Sequence, residues 1–247
     1  MKITALIPAR GGSKGVPRKN IKILGKHPLL SYSIAACKLS KKIDRIIVST
    51  DDKTIAEIAK SYGAEVPELR PSHLANDTST DWDVINYFFE NNNHEEVVYL
   101  RPTTPLRDPL LIDQYIEIYA SNKSDASGFR SMHALPEPPY KMFMIEDGCC
   151  KGFFNDYEGI EDYTNLPRQT FPKAYQPNGY IDIAKRTTVN SGNTAFGTKL
   201  FPFITPVVTE IDTIEEFEIL QYKVEKQKNN DIISYLDGLK ASDTHYS

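Results

Sequence analysis

Short apolar runs and stretches of helical periodicity alternate along the first half of the chain. The run "ITALIP" (Ile3 to Pro8) is typical of a buried parallel strand, and "PLLSYSIAACKLS" after it carries apolar residues at helical spacing. The same succession returns in "DRIIVST" followed by "DKTIAEIAKSYG", and in "EVVYLRP" followed by "DPLLIDQYIEIY". Strands that alternate with helices predict an α/β fold, a parallel sheet covered by helices on both faces.

The pattern changes between Pro136 and Gln176. Prolines, aromatic residues and short polar segments interrupt any helical period there, which favours hairpins and long loops. Order returns with "NGYIDIA", with "TPVVTEID", which we interpret as a strand, and with the amphipathic helix "TIEEFEILQYKVEKQ". We therefore expect a single domain over residues 1–247, with an irregular insertion at about 136–176.

Composition narrows the class of protein. The chain has 247 residues, a net charge of -4 and a pI near 5.8, which disfavours binding to nucleic acid through bulk phosphate attraction. Cys37, Cys149 and Cys150 lack the spacing of a metal site or a disulfide framework, and no long apolar run suggests a leader or a membrane span. We expect a cytoplasmic protein that binds no membrane.

The loop "PARGGSKGVPRKN" (Pro8 to Asn20) is the most informative stretch. It follows the first predicted strand, and ligands in such sheets bind beyond the carboxyl ends of the strands. Its glycines let backbone N–H groups turn toward one point, while Arg10, Lys14, Arg18 and Lys19 can surround an anion. A polyphosphate fits this description, and the alternative is a solvated basic turn. The spacing matches neither a P-loop nor a dinucleotide fingerprint.

Five motifs in order resemble the cytidylyltransferases that activate sialic acids and related nonulosonic acids as CMP-sugars. The resemblance extends to about residue 225. The motifs are "IPARGGSKGVPRKN", "LRPSHLANDTST", "LRPTTPLRD", "LPRQTFPKAYQPNGYIDI" and "EIDTIEEFE".

The resemblance implies a fold and a reaction. The fold is a three-layer α/β/α arrangement of the nucleotide-diphospho-sugar transferase type, with a mostly parallel, Rossmann-like sheet. In the reaction, the anomeric hydroxyl of the sugar attacks the α-phosphate of CTP and pyrophosphate leaves, assisted by Mg²⁺. The family forms homodimers, to which the insertion contributes. Partners are therefore CTP, a nonulosonic acid and a second copy of the chain.

The resemblance also assigns residues to the nucleotide. Arg10, Lys14 and Lys19 match the catalytic positions on the triphosphate, and such cations can hold a leaving pyrophosphate without any proton transfer. The remaining nucleotide-binding positions are Gly11, Gly12, Ser13, Asn20, Arg70, Thr78 and Ser79. The hydroxyl-rich run from Thr78 to Thr80 also reads as an ordinary helix cap, and both roles can hold together.

Metal binding is predicted at "VVTEID". Glu210 and Asp212 are two residues apart at the end of the expected strand, so both carboxylates would project from one face toward Mg²⁺. The family most often has Asp in the first place, which puts direct ligation by Glu210 in doubt. Alternatively, both acids favour the start of a helix that Thr213 and Glu216 cap.

The resemblance places Arg101, Arg168, Gln176 and Asn178 at the sugar. Without it, "PRQ" and "PNG" would read as turns. A carboxylated sugar needs a cation, and Arg168 or Arg101 could serve.

Two departures from the sialic-acid enzymes bear on which sugar is bound. Arg101 stands where those enzymes usually have glutamine, and Asn193 and Thr194 lie where they present aromatic residues. We therefore expect an acceptor of the legionaminic type or an amino-octulosonate.

Two other functions stay open. A glycosyltransferase with a related sheet would bind metal through Asp-x-Asp, and "DWD" at Asp81 to Asp83 is a poor match because it starts a helix. A nucleotide-binding sensor could retain the basic loop without catalysis.

Overall fold

The computed structural model describes residues 2–192, 194–227 and 230–239. The helices are α1 (Leu29–Leu39), α2 (Lys53–Ser61), α3 (Asp81–Asn91), α4 (Pro109–Asn122), α5 (Arg186–Ser191), α6 (Ile214–Lys226) and α7 (Asp231–Gly238). The strands are β1 (Ile3–Pro8), β2 (Ile23–Leu24), β3 (His27–Pro28), β4 (Ile43–Ser49), β5 (Glu96–Tyr99), β6 (Gly128–Ala134), β7 (Phe143–Glu146), β8 (Cys149–Gly152), β9 (Tyr175–Lys185) and β10 (Leu200–Ile204).

Six strands form one twisted layer in the order β10-β6-β9-β5-β1-β4. The pairs β1–β4, β1–β5 and β10–β6 are parallel, whereas β9 runs antiparallel to both β5 and β6. The mostly parallel sheet predicted from the sequence is therefore confirmed.

Hydrophobic residues cover both faces of the sheet. Along β1, Ala5 and Ile7 pack into one cluster and Leu6 into the other, because successive side chains point to opposite faces. The first cluster includes residues from α1, α2, α4, α6 and α7, and the second from α3 and α5. Helices thus form a layer on each side, which is the expected three-layer arrangement.

The capping residues explain where the helices begin. Asp108 accepts a hydrogen bond from Leu110 N at 2.9 Å, and Pro109 occupies the first position of α4. Thr80 and Thr213 each form a capping box, at α3 and α6 respectively. The chain that leads into each of these three helices lies at the carboxyl edge of the sheet. The caps therefore also fix the conformation of the chain at that edge.

The strand predicted at "TPVVTEID" is wrong. The last strand is β10, and residues 205–212 that follow it have no regular structure. Pro206 lacks an N–H donor for a ladder and Val207 is 75% exposed, so neither favours a buried strand. Instead, Ile211 N donates to Thr103 O at 3.0 Å, which holds the segment beside the end of β5.

The irregular segment at 136–176 contains a β7–β8 hairpin and single-turn helices. Stacked rings hold part of it together, since Tyr140 and Phe171 lie 5.0 Å apart with nearly parallel planes. Other apolar side chains in it are exposed, among them Phe143, Ile145 and Phe153. Its last residues, Tyr175 and Gln176, belong to β9.

No helix in the described part of the chain is long and apolar enough to span a lipid bilayer.

Candidate functional site

A cavity of about 320 Å³ opens at the carboxyl edge of the sheet, where the segments after β1 and β5 meet. The predicted site residues that line it are Arg10, Ser13, Lys14, Lys19, Asn20, Arg70, Ser79, Arg101 and Asp212. Those that do not are Gly11, Gly12, Thr78, Arg168, Gln176, Asn178 and Glu210. Parallel strands end on the same side, and this explains why residues far apart in sequence converge there.

Buried residues fix the shape of the basic loop. Val16 is fully buried, and the buried Asn20 donates from Nδ2 to Arg10 O at 2.9 Å. Gly15 lies so close to the segment before α6 that a Cβ atom would come within 2.0 Å of Asp212 O. Glycine is therefore required at position 15 by close packing against the predicted metal segment.

Acidic partners hold the cations of the loop at the cavity. Asp77 forms an ion pair with Lys14 Nζ at 2.6 Å and another with Arg10 Nη2 at 3.1 Å. The hydrogen bond from Lys14 and the two positive charges hold the pKa of Asp77 below its usual value. Lys19 Nζ donates to Ile211 O at 2.5 Å and to Asp212 Oδ1 at 3.1 Å. All three predicted catalytic cations thus converge on one cavity.

The backbone N–H of Gly11 does not point toward the predicted anion site. Its N–H donates to Asp51 Oδ1 at 2.9 Å, so this amide faces a carboxylate instead of a bound anion. A side chain at Gly11 would also meet Asp52. The contribution of Gly11 is to let the loop pass close to the start of α2, and the side chains of the loop line the cavity.

Arg70 is the most unusual group in the cavity wall. It is buried, and its Nη1 donates to Ser49 O at 3.2 Å and Ser49 Oγ at 3.1 Å. Its Nε is buried and has no hydrogen-bond partner among the described residues. Burial lowers the pKa of Arg70, although carboxylates and hydroxyls nearby oppose this. An unpaired buried donor is costly, so a ligand acceptor that reached this N–H would remove the cost.

The hydroxyl-rich run after Arg70 folds on itself. Thr78 Oγ1 and Ser79 Oγ donate to Asn76 Oδ1 at 2.7 and 3.1 Å, and Thr80 caps α3. The capping interpretation is therefore confirmed for Thr80, while Ser79 also lines the cavity.

The acids of "DWD" have protein partners. Asp83 completes the capping box of α3, and Asp81 pairs with Arg101 and accepts a hydrogen bond from Tyr99 Oη at 3.0 Å. Both carboxylates are engaged, which speaks against an Asp-x-Asp metal motif at this place.

Arg101 lies in the cavity wall but is not a free cation. It ion-pairs with Asp81, and its Nη1 donates to Asp182 Oδ2 at 2.8 Å. Burial works against its charge, yet Asp182 and Asp81 together raise the pKa of Arg101. Its charge is balanced within the protein, so the idea that it meets the carboxylate of a sugar loses support.

Sequence reasoning missed Arg107, which organises the end of β5. This arginine is buried, and its guanidinium donates to the carbonyls of Arg101, Thr104, Gly179 and Tyr180 and to the hydroxyl of Ser33. It joins the segment after β5 to β9 and α1. The signal was present, since Arg107 ends the motif "LRPTTPLR", but its burial was not visible in the sequence.

The two predicted metal ligands have different surroundings. The Asp212 side chain is 72% exposed and borders the cavity, with Lys19 beside it. Glu210 is half-buried near Gly179 and Arg101, and burial raises its pKa. The carboxylates of the described residues form no cluster of three or more that could hold a metal unaided.

The predicted sugar residues are spread out in the single chain. Arg168 is exposed on the insertion, where Nη1 donates to Pro136 O at 3.4 Å, and Gln176 is exposed at the start of β9. Asn178 is buried and donates to Thr205 Oγ1 at 2.6 Å. Thr194 Oγ1 accepts from Gly197 N, and Asn193 lies outside the described residues. Roles at the sugar stay predictions.

Comparison with known proteins decides the family. The family model described as cytidylyltransferase matches residues 4–148, which contain the basic loop, Arg70 and the end of β5. The chain belongs to the cytidylyltransferase family. It is accordingly a nucleotidyltransferase.

Individual relatives of this cytidylyltransferase carry related names. It is 32% identical to the post-translational flagellin modification protein B of Campylobacter coli, over 92% of the chain and 96% of that protein. It is 31% identical to the pseudaminic acid cytidylyltransferase of Campylobacter jejuni, over 91% and 97% respectively. It is 30% identical to the N-acylneuraminate cytidylyltransferase of Escherichia coli over 92% of the chain, which spans about half (53%) of that protein.

A solved structure supports the fold. A CMP:2-keto-3-deoxy-manno-octonic acid synthetase complexed with CTP superposes with a TM-score of 0.69, over 92% of this chain and 100% of the other. The two sequences are 14% identical, so the likeness establishes a shared nucleotidyltransferase fold.

Proposed function

We propose that this cytidylyltransferase transfers CMP from CTP to the anomeric hydroxyl of a nonulosonic acid and releases pyrophosphate. The proposal is based on a single cavity that is lined by Arg10, Lys14, Lys19 and Arg70. The Nε atom of Arg70 has no hydrogen-bond partner among the described residues. The names of the relatives, which include cytidylyltransferases of N-acylneuraminate and pseudaminic acid, supply the substrate class.

The cavity suits a nucleoside triphosphate. Lys14 and Arg10 share a single exposed carboxylate, Asp77, and surface ion pairs of this kind contribute little free energy. A triphosphate carries more negative charge than Asp77, so it can replace this carboxylate as the partner of both cations. The unpaired Nε of Arg70 can donate to an acceptor on the cytosine ring, which has O2 and N3 available.

The chemistry follows from this placement. The anomeric oxygen forms a bond to the α-phosphorus, the bond from that phosphorus to the bridging oxygen of pyrophosphate breaks, and the hydroxyl proton is released. Negative charge grows on the leaving pyrophosphate. Cations fixed beside the leaving group stabilise that charge in the transition state, and this is the role we assign to Arg10, Lys14 and Lys19.

The donor set also fits Mg²⁺, which proteins hold through one or two carboxylates together with substrate phosphates. Asp212 is exposed at the cavity and suits direct ligation. Glu210 has a pKa raised by burial, and we assign it a contact with the ion through water. When bound, the ion supplies positive charge to the triphosphate.

We propose an acceptor of the legionaminic type. A CMP-N,N'-diacetyllegionaminic acid synthase from Legionella pneumophila is 43% identical to this chain over 124 residues, about half of each protein. The carboxylate of such a sugar needs a cation, and the pairing of Arg101 with Asp81 and Asp182 leaves Arg168 as the stronger of the two predicted candidates.

Arg168 lies on the insertion and away from the cavity of its own chain, so we propose that it serves the site of a second copy in a homodimer. The exposed side chains of Phe143, Ile145 and Phe153 give the insertion an apolar surface that a dimer interface can bury.

Light scattering at micromolar concentration should give the mass of a dimer. Mixing Lys14→Ala with Arg168→Ala chains should restore part of the activity, because some hybrid dimers contain one intact site. A monomer, or a mixture as inactive as its parts, would contradict shared sites.

Pyrophosphate release tests the reaction. CTP, UTP and GTP are each combined with N-acetylneuraminic, legionaminic and pseudaminic acids and an amino-octulosonate, and the CMP-sugar is identified by mass. Release should require CTP, an acceptor and Mg²⁺. Turnover of a nucleotide sugar would indicate a glycosyltransferase, and CTP binding with no turnover of any acceptor would indicate a sensor.

A further inference from the structure

Four charged side chains form a row beside the cavity. Asp81 pairs with Arg101, Arg101 Nη1 donates to Asp182 Oδ2 at 2.8 Å, and Arg130 Nε lies 3.6 Å from the same Asp182 oxygen. Asp182 is fully buried and also accepts from Ser131 N at 3.0 Å. The row thus runs from the start of α3 to the middle of β6.

The register of the sheet places the far end of the row. Asp182 on β9 pairs with Tyr99 on β5 and with Arg130 on β6, so the three side chains lie side by side on one face. Tyr99 and Arg101 line the cavity. Since neighbouring strands are about 4.8 Å apart, Arg130 lies roughly 10 Å from Tyr99, on the side away from β1 and its basic loop.

Arg130 has donors that the protein does not use. Its Nε is buried and makes no hydrogen bond, and its terminal amino groups have no hydrogen-bond partner among the described residues. The guanidinium lies over the ring of Phe196 at 5.0 Å, and the side chain is 24% exposed. Arg101 differs, because both of its amino groups are bonded to carboxylates.

The charges of the row indicate what Arg130 can bind. Two arginines and two aspartates sum to zero, so the row does not call for another anion. A nonulosonic acid also carries its carboxylate on the anomeric carbon, which must meet the α-phosphate. The groups that can reach a side chain two strands farther along are remote from that carbon. They are neutral hydroxyl and acylamino groups, and an acylamino carbonyl accepts hydrogen bonds.

We propose that Arg130 donates a hydrogen bond to an acylamino carbonyl on the part of the acceptor sugar remote from its anomeric carbon, and so selects acylated nonulosonic acids. This inference rests on the proposed function. Asp182 positions Arg130, and Phe196 supports the plane of its guanidinium. A half-buried arginine left without its acceptor would disfavour a sugar that lacks the acyl group.

The experiment compares Arg130→Met with the wild type on two nonulosonic acids, one N-acylated and one with a hydroxyl in place of each acylamino group. In the variant, kcat/KM for the acylated sugar should fall roughly 10- to 100-fold through a higher KM for the sugar, since a charge-assisted hydrogen bond is lost. The loss with the hydroxylated sugar should be at least several-fold smaller, and KM for CTP should not change. Arg130→Lys, which keeps a donor, should recover part of the loss.

Arg45→Met is the matched control, because Arg45 lies on β4 at the opposite edge of the sheet and pairs there with Glu65. Thermal unfolding verifies that each variant is folded, and Asp182 retains Arg101 and Ser131 in Arg130→Met. An equal loss for both sugars, an increase in KM for CTP, or no change would overturn the assignment of Arg130. Absence of CMP transfer to any acceptor by the wild type would refute the proposed function and this inference together.

Discussion

The segments that follow β1 and β5 reach the same edge of the sheet and both carry basic residues, but their surroundings are opposite. In the first segment, the Lys14 side chain is 80% exposed and meets a single exposed carboxylate, Asp77. In the second, Arg107 is 1% exposed and makes five hydrogen bonds, four of them to backbone carbonyls.

This difference separates cations that bind a ligand from cations that build the site. An exposed, weakly paired cation can exchange its partner for a phosphate at little cost. A buried guanidinium whose donors are all used cannot do so, because the bonds it released would leave buried acceptors short of a donor. The same residue type therefore serves opposite purposes at two neighbouring strand ends, according to burial.

The largest effect should come from Arg107→Met. It removes a hydrogen-bond donor from the carbonyls of Arg101, Thr104, Gly179 and Tyr180. Arg101 O keeps a bond from Thr104 N, and each buried group left unpaired costs about 1–3 kcal/mol. We expect the free energy of unfolding to fall by at least about 3 kcal/mol in urea titrations. Arg45→Met, which removes an exposed pair with Glu65, should cost less than about 1 kcal/mol. If both variants lost the same free energy of unfolding, burial would not distinguish the role of Arg107 from that of an exposed arginine.

Asp212→Asn comes next in size. It removes the charge proposed to hold Mg²⁺ while keeping the shape, so turnover should fall roughly 100-fold and need more Mg²⁺. Glu215→Gln, which removes another acid near the start of α6, is the matched control and should leave the Mg²⁺ requirement unchanged. If Asp212→Asn lowered the melting temperature and left the Mg²⁺ dependence intact, a role at the start of the helix would explain Asp212 better.

Lys14→Ala should lower pyrophosphate release from CTP by at least about 10-fold, because it removes a cation proposed to contact the triphosphate. Its melting temperature should stay close to that of the wild type, since the side chain is exposed and its ion pair weak. The pairing of low activity with unchanged stability is the reverse of the result expected for Arg107→Met. Near-normal turnover would contradict the phosphate role.

The smallest effect concerns Glu210, whose pKa burial raises. The folded protein then binds this proton to a higher pH than the unfolded chain does, so stability falls as the pH rises through the folded pKa. Glu210→Gln should be more stable than the wild type at pH 7, by less than about 1 kcal/mol, and the difference should vanish below the unfolded pKa. Urea titrations at acidic and neutral pH measure it, and a less stable variant at pH 7 would point to a favourable contact with Arg101.

Much of the site was accessible from sequence because it depends on local patterns. Gly15, Asn20 and the loop cations follow a strand directly, so their position at the carboxyl edge follows from the order of elements. Thr213 was predicted as a cap from neighbouring residues. The prediction failed at "TPVVTEID", where a long-range bond from Ile211 N to Thr103 O replaces strand pairing, and at α7 and the β2–β3 hairpin, which were not predicted.

By itself, the sequence determined the alternation of strands and helices, the basic loop and the membership of a family, because these depend on residue type and spacing along the chain. The tertiary structure decided which charges are available. Arg101, Arg107 and Arg130 look alike in sequence, yet the first is balanced by two carboxylates, the second is fully bonded, and the third keeps unused donors. The three arginines differ because other strands supply a different number of hydrogen-bond and ion-pair partners to each. Burial raises the free-energy cost of a donor that lacks a partner.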